Sequence, residues 1–289
     1  MSLFKKIIKN PMGLFGLCII IFWMIVAAFA PILAPPADSQ NPYSIMRHSF
    51  SSLPSSPDEE ALFGTTSGGY DIFYGIIWGS RTAFLVGLIT VLCSSFIGVL
   101  IGGLGAFWGG ILDNIAMRIV DLFMSIPFLI AVIVMTTVMG KGLDKIIIAL
   151  IIFGWRGYAR IMRSEVLALK EEEFVLAAKS LGASSSRIFF RHIIPNAIYP
   201  IIVLVSINIG RMTLVAAALS FVGVGAEPGF ADWGQMLNFA RRWISGVPGD
   251  PFFYWYTYTY PSIAMVSFVL GWTLFGDALR DIYDPKINI

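Results

Sequence analysis

The run Ile146-Ile147-Ile148-Ala149-Leu150-Ile151-Ile152 decides the fold class of this chain. It contains no polar residue, whereas a strand of a membrane β-barrel alternates apolar and polar residues over about ten positions. Lipid offers the backbone no hydrogen bonds, so a continuous apolar run inside a membrane must satisfy its own backbone as a helix. The sequence therefore predicts an all-α membrane protein.

The composition agrees with this reading. Of the 289 residues, 57% are hydrophobic and only 13% are charged, and the mean hydropathy is +0.78. A soluble domain carries about 25% charged residues. The net charge of +2 gives no reason to expect a nucleic-acid partner. Cys18 and Cys93 lie in apolar runs without metal-ligand spacing, which makes a disulfide framework or a metal site implausible.

Six segments approach the length of about 20 mostly apolar residues that a membrane-spanning helix needs. They are Leu14–Ala34, Ala83–Phe107, Ile119–Met139, Ile146–Met162, Ala197–Val224 and Ser262–Leu279. This division leaves an N-terminal segment, 1–13, before a membrane domain, 14–289. In the second span, Gly98-x-x-x-Gly102 and Gly105-x-x-x-Gly109 favour close helix packing.

The basic residues predict that both termini are cytoplasmic. In that orientation thirteen basic residues lie inside: Lys5, Lys6, Lys9, Arg118, Arg156, Arg160, Arg163, Lys170, Lys179, Arg187, Arg191, Arg280 and Lys286. Six lie outside: Arg47, Arg81, Lys141, Lys145, Arg241 and Arg242. The segments 35–79 and 225–260 are then extracytoplasmic loops, and 163–195 is a cytoplasmic loop.

The first span has a competing interpretation as a cleaved secretory signal, because three lysines precede it and Ala28-Phe29-Ala30 resembles a cleavage site. The apolar run is long for a signal and five further spans follow, so we favour a retained helix. The 225–260 loop holds three tryptophans and four tyrosines, rings that commonly lie at the membrane–water interface. A lid or a docking surface for an external partner is the alternative for this loop.

The cytoplasmic loop 163–195 differs from the rest of the chain. Lys170-Glu171-Glu172-Glu173 places acids where a helix begins. Phe174, Ala177, Ala178 and Leu181 follow at helical spacing, and Gly182 falls at the position of a left-handed cap. Ser184-Ser185-Ser186 offers caps for a second helix, Arg187–Ile194, which Pro195 would end.

This helix–turn–helix segment has two interpretations from the residues alone. It is either an ordinary connector at the membrane surface or a surface on which another protein docks. Ala177 and Ala178 bury little area in lipid but allow close approach of a partner.

A family resemblance favours docking. Ala177-Ala178-x-x-x-Gly182, with Pro195 thirteen residues after the glycine, resembles the EAA loop of ABC importer permeases. The ordered flanking motifs resemble the second permease of dipeptide/oligopeptide importers. They are Gly154-Trp155-x-x-Tyr158-Ala159-Arg160, Phe190-Arg191-His192-Ile193-Ile194-Pro195-Asn196, Leu219-Ser220-Phe221-x-Gly223-x-Gly225, Trp233-Gly234 and Asp284-Pro285.

The resemblance implies a type-1 transmembrane domain over 14–289, with a coupling helix between spans four and five that seats in a cytoplasmic ATPase. The implied coupling residues are Glu173, Phe174, Ala177, Ala178, Leu181, Gly182 and Pro195. The chain departs from the family pattern at Leu176 and Ala216, where glutamates are expected. It also departs at Thr66 and Tyr70, in the segment that resembles GTDxxGRD. These departures weaken inference about the substrate, not about the family.

Two charged residues are candidates for a translocation path. Arg211 lies mid-span, where it either faces a passing peptide or pairs with an acid. Asp121 is the weaker candidate, because it could pair with Arg118 three residues away. The sequence has no GxxxxGK[ST] phosphate loop, no GxSxG motif and no metal-ligand arrangement around His48 or His192.

We therefore expect a non-catalytic permease subunit of an ATP-driven peptide importer in a prokaryotic plasma membrane. The resemblance implies a second permease, two ATPases that bind ATP and Mg²⁺, and an external binding protein as partners. The alternatives are a permease for another cargo, such as nickel or a glycan, and a self-contained channel or secondary transporter.

Overall fold

The computed structural model describes Ile7, residues 10–48 and residues 50–283. This part of the chain is helical, with four isolated β-bridges and no strand. Its helices are α1 (Pro11–Ala28), α2 (Ala30–Leu33), α3 (Ile72–Trp108), α4 (Gly110–Ser125), α5 (Phe128–Met139), α6 (Leu143–Lys170), α7 (Glu173–Ser180), α8 (Ser185–Ile188), α9 (Ile194–Val222), α10 (Trp233–Ala240) and α11 (Trp255–Tyr283). Lys5, Lys6, Lys9, Lys286 and Asp284-Pro285 lie outside the described residues.

Helix α3 begins well before the predicted start of the second span. It starts at Ile72 instead of Ala83, because the Asp71 carboxylate accepts the Tyr74 backbone N–H (2.7 Å) and caps the first turn. The last eight residues of the predicted 35–79 loop are therefore helical. At 37 residues α3 is about 55 Å long, which exceeds the hydrocarbon core of about 30 Å.

The third predicted span, Ile119–Met139, is broken into α4 and α5, which meet at 85°. Pro127 causes the break. It has no N–H to donate, and it restricts the residue before it, so Ile126 is extended (φ −93°, ψ 127°).

Helix α6 packs along α3 through the first glycine pair that the sequence singled out. A Cβ at Gly98 would lie 2.6 Å from the Trp155 carbonyl oxygen, and one at Gly102 would overlap the Ala159 carbonyl. The predicted close packing is thus confirmed for Gly98-x-x-x-Gly102. Gly109 instead ends α3 with a positive φ (φ +68°, ψ −158°) that favours glycine, and with no neighbour within 4 Å of an added Cβ.

The predicted second cytoplasmic helix differs from the structure. Ser184 does cap α8, but the chain then passes through a π-helical turn, Phe189–Ile193, directly into α9. Pro195 lies in the first turn of α9 and does not end a helix, because a first-turn residue needs no intrahelical donor.

The segments 35–71 and 225–254 contribute residues to a buried cluster that they share with α1, α3, α9 and α11. Trp233, at the start of α10, is 2% exposed, and its Nε1 donates to the Ile76 carbonyl (3.1 Å). Tyr254 and Tyr256 are also buried, whereas Trp255 is 43% exposed. Trp233, Tyr254 and Tyr256 therefore pack inside the protein instead of exposing their rings, with α10 beside α3, α9 and α11. The membrane–water interface stays a prediction for these rings.

Four helical stretches of the described chain are long and apolar enough to cross a membrane: α1, α3, the continuous helix Ser185–Val222 and α11. The bent pair α4–α5 would make a fifth. Helix α6, which contains the fourth predicted span, has 28 residues but is too charged to join this set. The prediction of six spans is thus supported for four or five.

Candidate functional site

The surface of α7 carries the residues that the sequence assigned to coupling. Val175, which the sequence analysis did not single out, is 2% exposed and anchors the helix beneath the surface. Phe174 (41% exposed) and Leu181 (88% exposed) point outward, as does Ala177, while Ala178 is half-buried. The helix therefore presents apolar side chains at i, i+3 and i+7 to its surroundings.

Gly182 ends α7 in the left-handed conformation that the sequence predicted, with φ +76°. Its N–H donates to the Lys179 carbonyl (3.0 Å), and the Ala183 N–H donates to the Ala178 carbonyl (3.1 Å). These two bonds form a Schellman motif, which closes the helix sharply and favours glycine at this position. No atom lies within 4 Å of an added Cβ, so the turn is open on its outer side.

Contacts on its buried side hold the α7 segment against the helix bundle. Val175 joins a buried cluster with Val166 of α6 and with Ile188 and Phe189. Lys170 donates to the carbonyls of Ala106 (3.2 Å) and Phe107 (3.0 Å) at the end of α3, where a cation is favoured by the helix dipole. The segment is therefore held by α3 and α6, while its outer face stays exposed.

Charges surround this outer face. Glu171, Glu172 and Glu173 are exposed at the start of α7. Lys179 is exposed in its last turn, and Arg187 and Arg191 are exposed beyond its end. The apolar residues thus lie between an acidic and a basic region. Such a surface can contact both apolar and charged groups of a protein partner.

Arg211 is exposed on α9 and forms no ion pair with any residue that the structure describes. One turn earlier, Asn208 donates through Nδ2 to the Tyr158 hydroxyl (2.9 Å). This buried hydrogen bond joins α6 to α9 one turn from Arg211.

Asp121 does not pair with Arg118, as the sequence spacing suggested. Its Oδ1 accepts from Arg160 Nη2 (2.6 Å) in an exposed ion pair between α4 and α6. A second pair that the sequence analysis missed, Asp113–Arg163, joins the same two helices. Its partners are 50 residues apart, so no local pattern could have indicated it. The sequence analysis also passed over Asp277, although an acid inside the predicted span Ser262–Leu279 was a usable signal.

Among the described residues, no group of three or more His, Cys, Asp or Glu side chains is placed to hold a metal ion. The arrangement at α7 is a contact surface and the arrangement at Arg211 is a polar patch. Neither contains a nucleophile activated by a neighbouring base.

Comparison with known proteins identifies the family. Residues 94–289 match the model of the binding-protein-dependent transport system inner membrane component. Residues 2–54 match the N-terminal transmembrane domain of oligopeptide transport permease C. The dipeptide transport system permease protein DppC of Alkalihalophilus pseudofirmus is 35% identical over 99% of this chain and 89% of its own length.

Two further matches agree. The oligopeptide transport system permease protein OppC of Bacillus subtilis is 36% identical over 97% of this chain and 87% of its own length. An inward-facing structure of the MetNI methionine ABC transporter has the same fold at 19% identity, with a TM-score of 0.57 over 74% of this chain and 98% of the matched chain. The resemblance predicted from the motifs is confirmed: this chain belongs to the family of binding-protein-dependent transport system inner membrane components, among the permeases of the DppC and OppC type.

Proposed function

We propose that this chain is one of two permease subunits of an ATP-driven importer of di- or oligopeptides. The observation that carries the proposal is the outward apolar face of α7, formed by Phe174, Ala177 and Leu181, which no residue in the described part of the chain buries. In a family of binding-protein-dependent permeases, a cytoplasmic ATPase is the partner that such a face fits.

The coupling residues act as one unit in this proposal. Glu173 begins α7, Ala178 lets the partner approach closely, and Gly182 turns the chain toward α8. Pro195 lies where the π-helical turn enters α9. Closure of two ATPase subunits on ATP and Mg²⁺ would displace α7, and the helical connection would carry that displacement into the membrane. The chain itself performs no catalysis.

Peptide cargo is supported by the relatives, which are named as dipeptide and oligopeptide permeases. An external binding protein would deliver the peptide to the outer loops, and a second permease would complete the path. We place the chain in the prokaryotic plasma membrane with both termini cytoplasmic, because thirteen basic residues against six favour that orientation.

Arg211 is the stronger candidate for a residue of the path. Arg211 is exposed on α9 within a predicted membrane span, and a charge facing lipid there would cost about 2.5–3.5 kcal/mol. Asp121 is already paired with Arg160, so a role for it in the path would require that pair to open. A permease for another cargo, such as nickel or a glycan, is the alternative. The family match disfavours a self-contained channel or secondary transporter.

The test is co-purification of the tagged chain from its host in mild detergent, with partners identified by mass spectrometry. We expect a second permease and P-loop ATPases. Leu181→Glu should lose the ATPases and keep the permease, because Leu181 is 88% exposed and the fold does not depend on it. Leu62→Glu, at a leucine that is 61% exposed in an outer loop, is the matched control and should keep all partners.

Recovery of the wild-type chain alone, even after crosslinking in the membrane, would overturn the proposal. Retention of the ATPases by Leu181→Glu would remove α7 from the coupling role.

A further inference from the structure

Helix α11 carries polar residues on one exposed face. Thr273, Asp277 and Arg280 are spaced at i, i+4 and i+7, which places them along one side of the helix. Asp277 and Arg280 are exposed, and Asp277 forms no ion pair with any residue in the described part of the chain. An exposed acid inside a membrane span needs water or a cationic partner.

Helix α9 presents a matching face. Pro200, Leu204, Ile207 and Arg211 recur at spacings of four, three and four, so they lie along one side of α9. A cavity of about 420 Å³ opens on this side, between α9, α6 and α11. Its lining consists of Ile161, Tyr199, Pro200, Val203, Leu204, Ile207, Arg280 and Tyr283. Arg280 is its charged residue, and Arg211 lies one turn beyond Ile207.

The close contact between α9 and α11 determines where Asp277 and Arg211 lie relative to each other along the helix axes. A Cβ at Gly276 would overlap Ile207, and one at Gly210 would lie 3.1 Å from the Val269 Cα. Asp277, next to Gly276, therefore lies at the level of Ile207. Arg211 is four residues farther along α9, which is about 6 Å along the axis.

We propose that this face of α9 and α11 lines the translocation path, and that Asp277 binds the protonated amino group of a peptide whose carboxylate contacts Arg211. The inference rests on the proposed peptide-import function. An acid and a base about one helical turn apart complement the two charged ends of a short peptide, and both charges are then exposed to water instead of lipid.

The first test measures water access at Asp277 with cysteine chemistry. The exposed native cysteines, Cys18 and Cys93, are replaced by alanine, and Asp277→Cys is introduced in the whole transporter complex. In inside-out vesicles we expect a charged methanethiosulfonate to label it at least about tenfold faster than Ile25→Cys. Ile25 is an exposed apolar position of α1, and apolar surroundings suppress the reactive thiolate about tenfold per pKa unit. Equal, slow labelling would mean that lipid or the second permease covers Asp277, and would overturn the inference.

The second test asks whether peptide uptake needs the negative charge of Asp277. Uptake of dialanine should fall about tenfold or more in Asp277→Asn and in Asp277→Cys, and Asp277→Glu should keep most of it. An anionic methanethiosulfonate should restore uptake by Asp277→Cys, and a cationic one should not. Normal uptake by Asp277→Asn would overturn the role of Asp277 alone. Absence of dialanine uptake in the wild-type complex would instead overturn the proposed function, while the labelling rate would still report whether Asp277 faces water.

Discussion

Arg163 of α6 and Asp113 of α4 are joined by two parallel hydrogen bonds, Nε to Oδ1 and Nη2 to Oδ2, each 2.7 Å long. Asp113 is 8% exposed, whereas the Arg163 side chain is 35% exposed. Two-bond pairing of this kind fixes the orientation of both side chains. It holds the first turn of α4 beside α6.

Asp113→Asn should destabilise the chain by about 1–2 kcal/mol, because the half-buried Arg163 guanidinium loses its counter-charge and its two-bond geometry. Thermal unfolding of the purified protein in detergent measures the change. Asp121→Asn is the matched control, since its pair with Arg160 is exposed on both sides and should contribute less than about 1 kcal/mol. Equal losses in the two variants would contradict the prediction.

Gly102→Ala should destabilise the packing of α3 on α6 by about 1–3 kcal/mol, because the new methyl group would overlap the Ala159 backbone carbonyl. Gly103→Ala adds the same group one residue later, where its nearest neighbour is 3.5 Å away, and alanine is the better helix former. Melting temperatures of the two variants in one detergent decide the matter. A Gly103→Ala variant that melts as low as Gly102→Ala would show that the helix interface is not where the structure puts it.

Gly182→Asp should abolish peptide uptake while the protein level stays normal. A Cβ added at this position meets no atom of the described chain within 4 Å, and the left-handed backbone costs about 1–2 kcal/mol. The defect should therefore appear only when a partner docks. The expected phenotype is a complex that still hydrolyses ATP but no longer takes up peptide. Gly110→Asp has the same kind of backbone (φ +64°) and open surroundings outside the coupling loop. It should transport normally. Normal uptake by Gly182→Asp would contradict the coupling role.

Asp232, in the outer loop before α10, should make stability depend on pH. Its Oδ1 accepts the Gly234 N–H (3.3 Å), while Oδ2 is buried without a hydrogen-bond partner among the described residues. Burial raises the pKa of this carboxyl above its usual value. The folded state is therefore favoured while Asp232 is protonated, and stability is lost as the pH rises from about 4 through the raised pKa.

Asp232→Asn should remove that part of the pH dependence, because the amide stays neutral. Melting temperatures of wild type and variant, recorded from about pH 4 to 8, should converge at the acidic end and favour the variant at the basic end. Parallel curves would contradict the assignment.

The sequence predicted what depends on composition and local spacing. Gly182 has the conformation that its position after an apolar helical face indicated, and Gly98 and Gly102 pack against α6 as their spacing suggested. Such features involve a backbone conformation or a helix face, which neighbouring residues determine. The family could be predicted for the same reason, since its motifs are short and ordered along the chain.

Other features depend on residues far apart in the chain. The break at Ile126-Pro127 escaped notice because hydropathy stays high across it, although proline was the available signal. The buried position of Trp233 depends on its contact with Ile76, 157 residues away. Asp121 forms an ion pair with Arg160 and not with Arg118 because α4 lies against α6. No sequence pattern within α4 indicates that neighbour.

The uninterrupted helical stretch from Ser185 to Val222 has a mechanical consequence. Its 38 residues span about 57 Å, from the end next to α7 to the left-handed Gly223 at the other end. Over that length, a tilt of about 5° around one end moves the other end by about 5 Å. If an ATPase displaces α7 as proposed, this helical stretch would carry the displacement to its far end, and the π-helical turn Phe189–Ile193 and Pro200 are the two places along it where bending is expected.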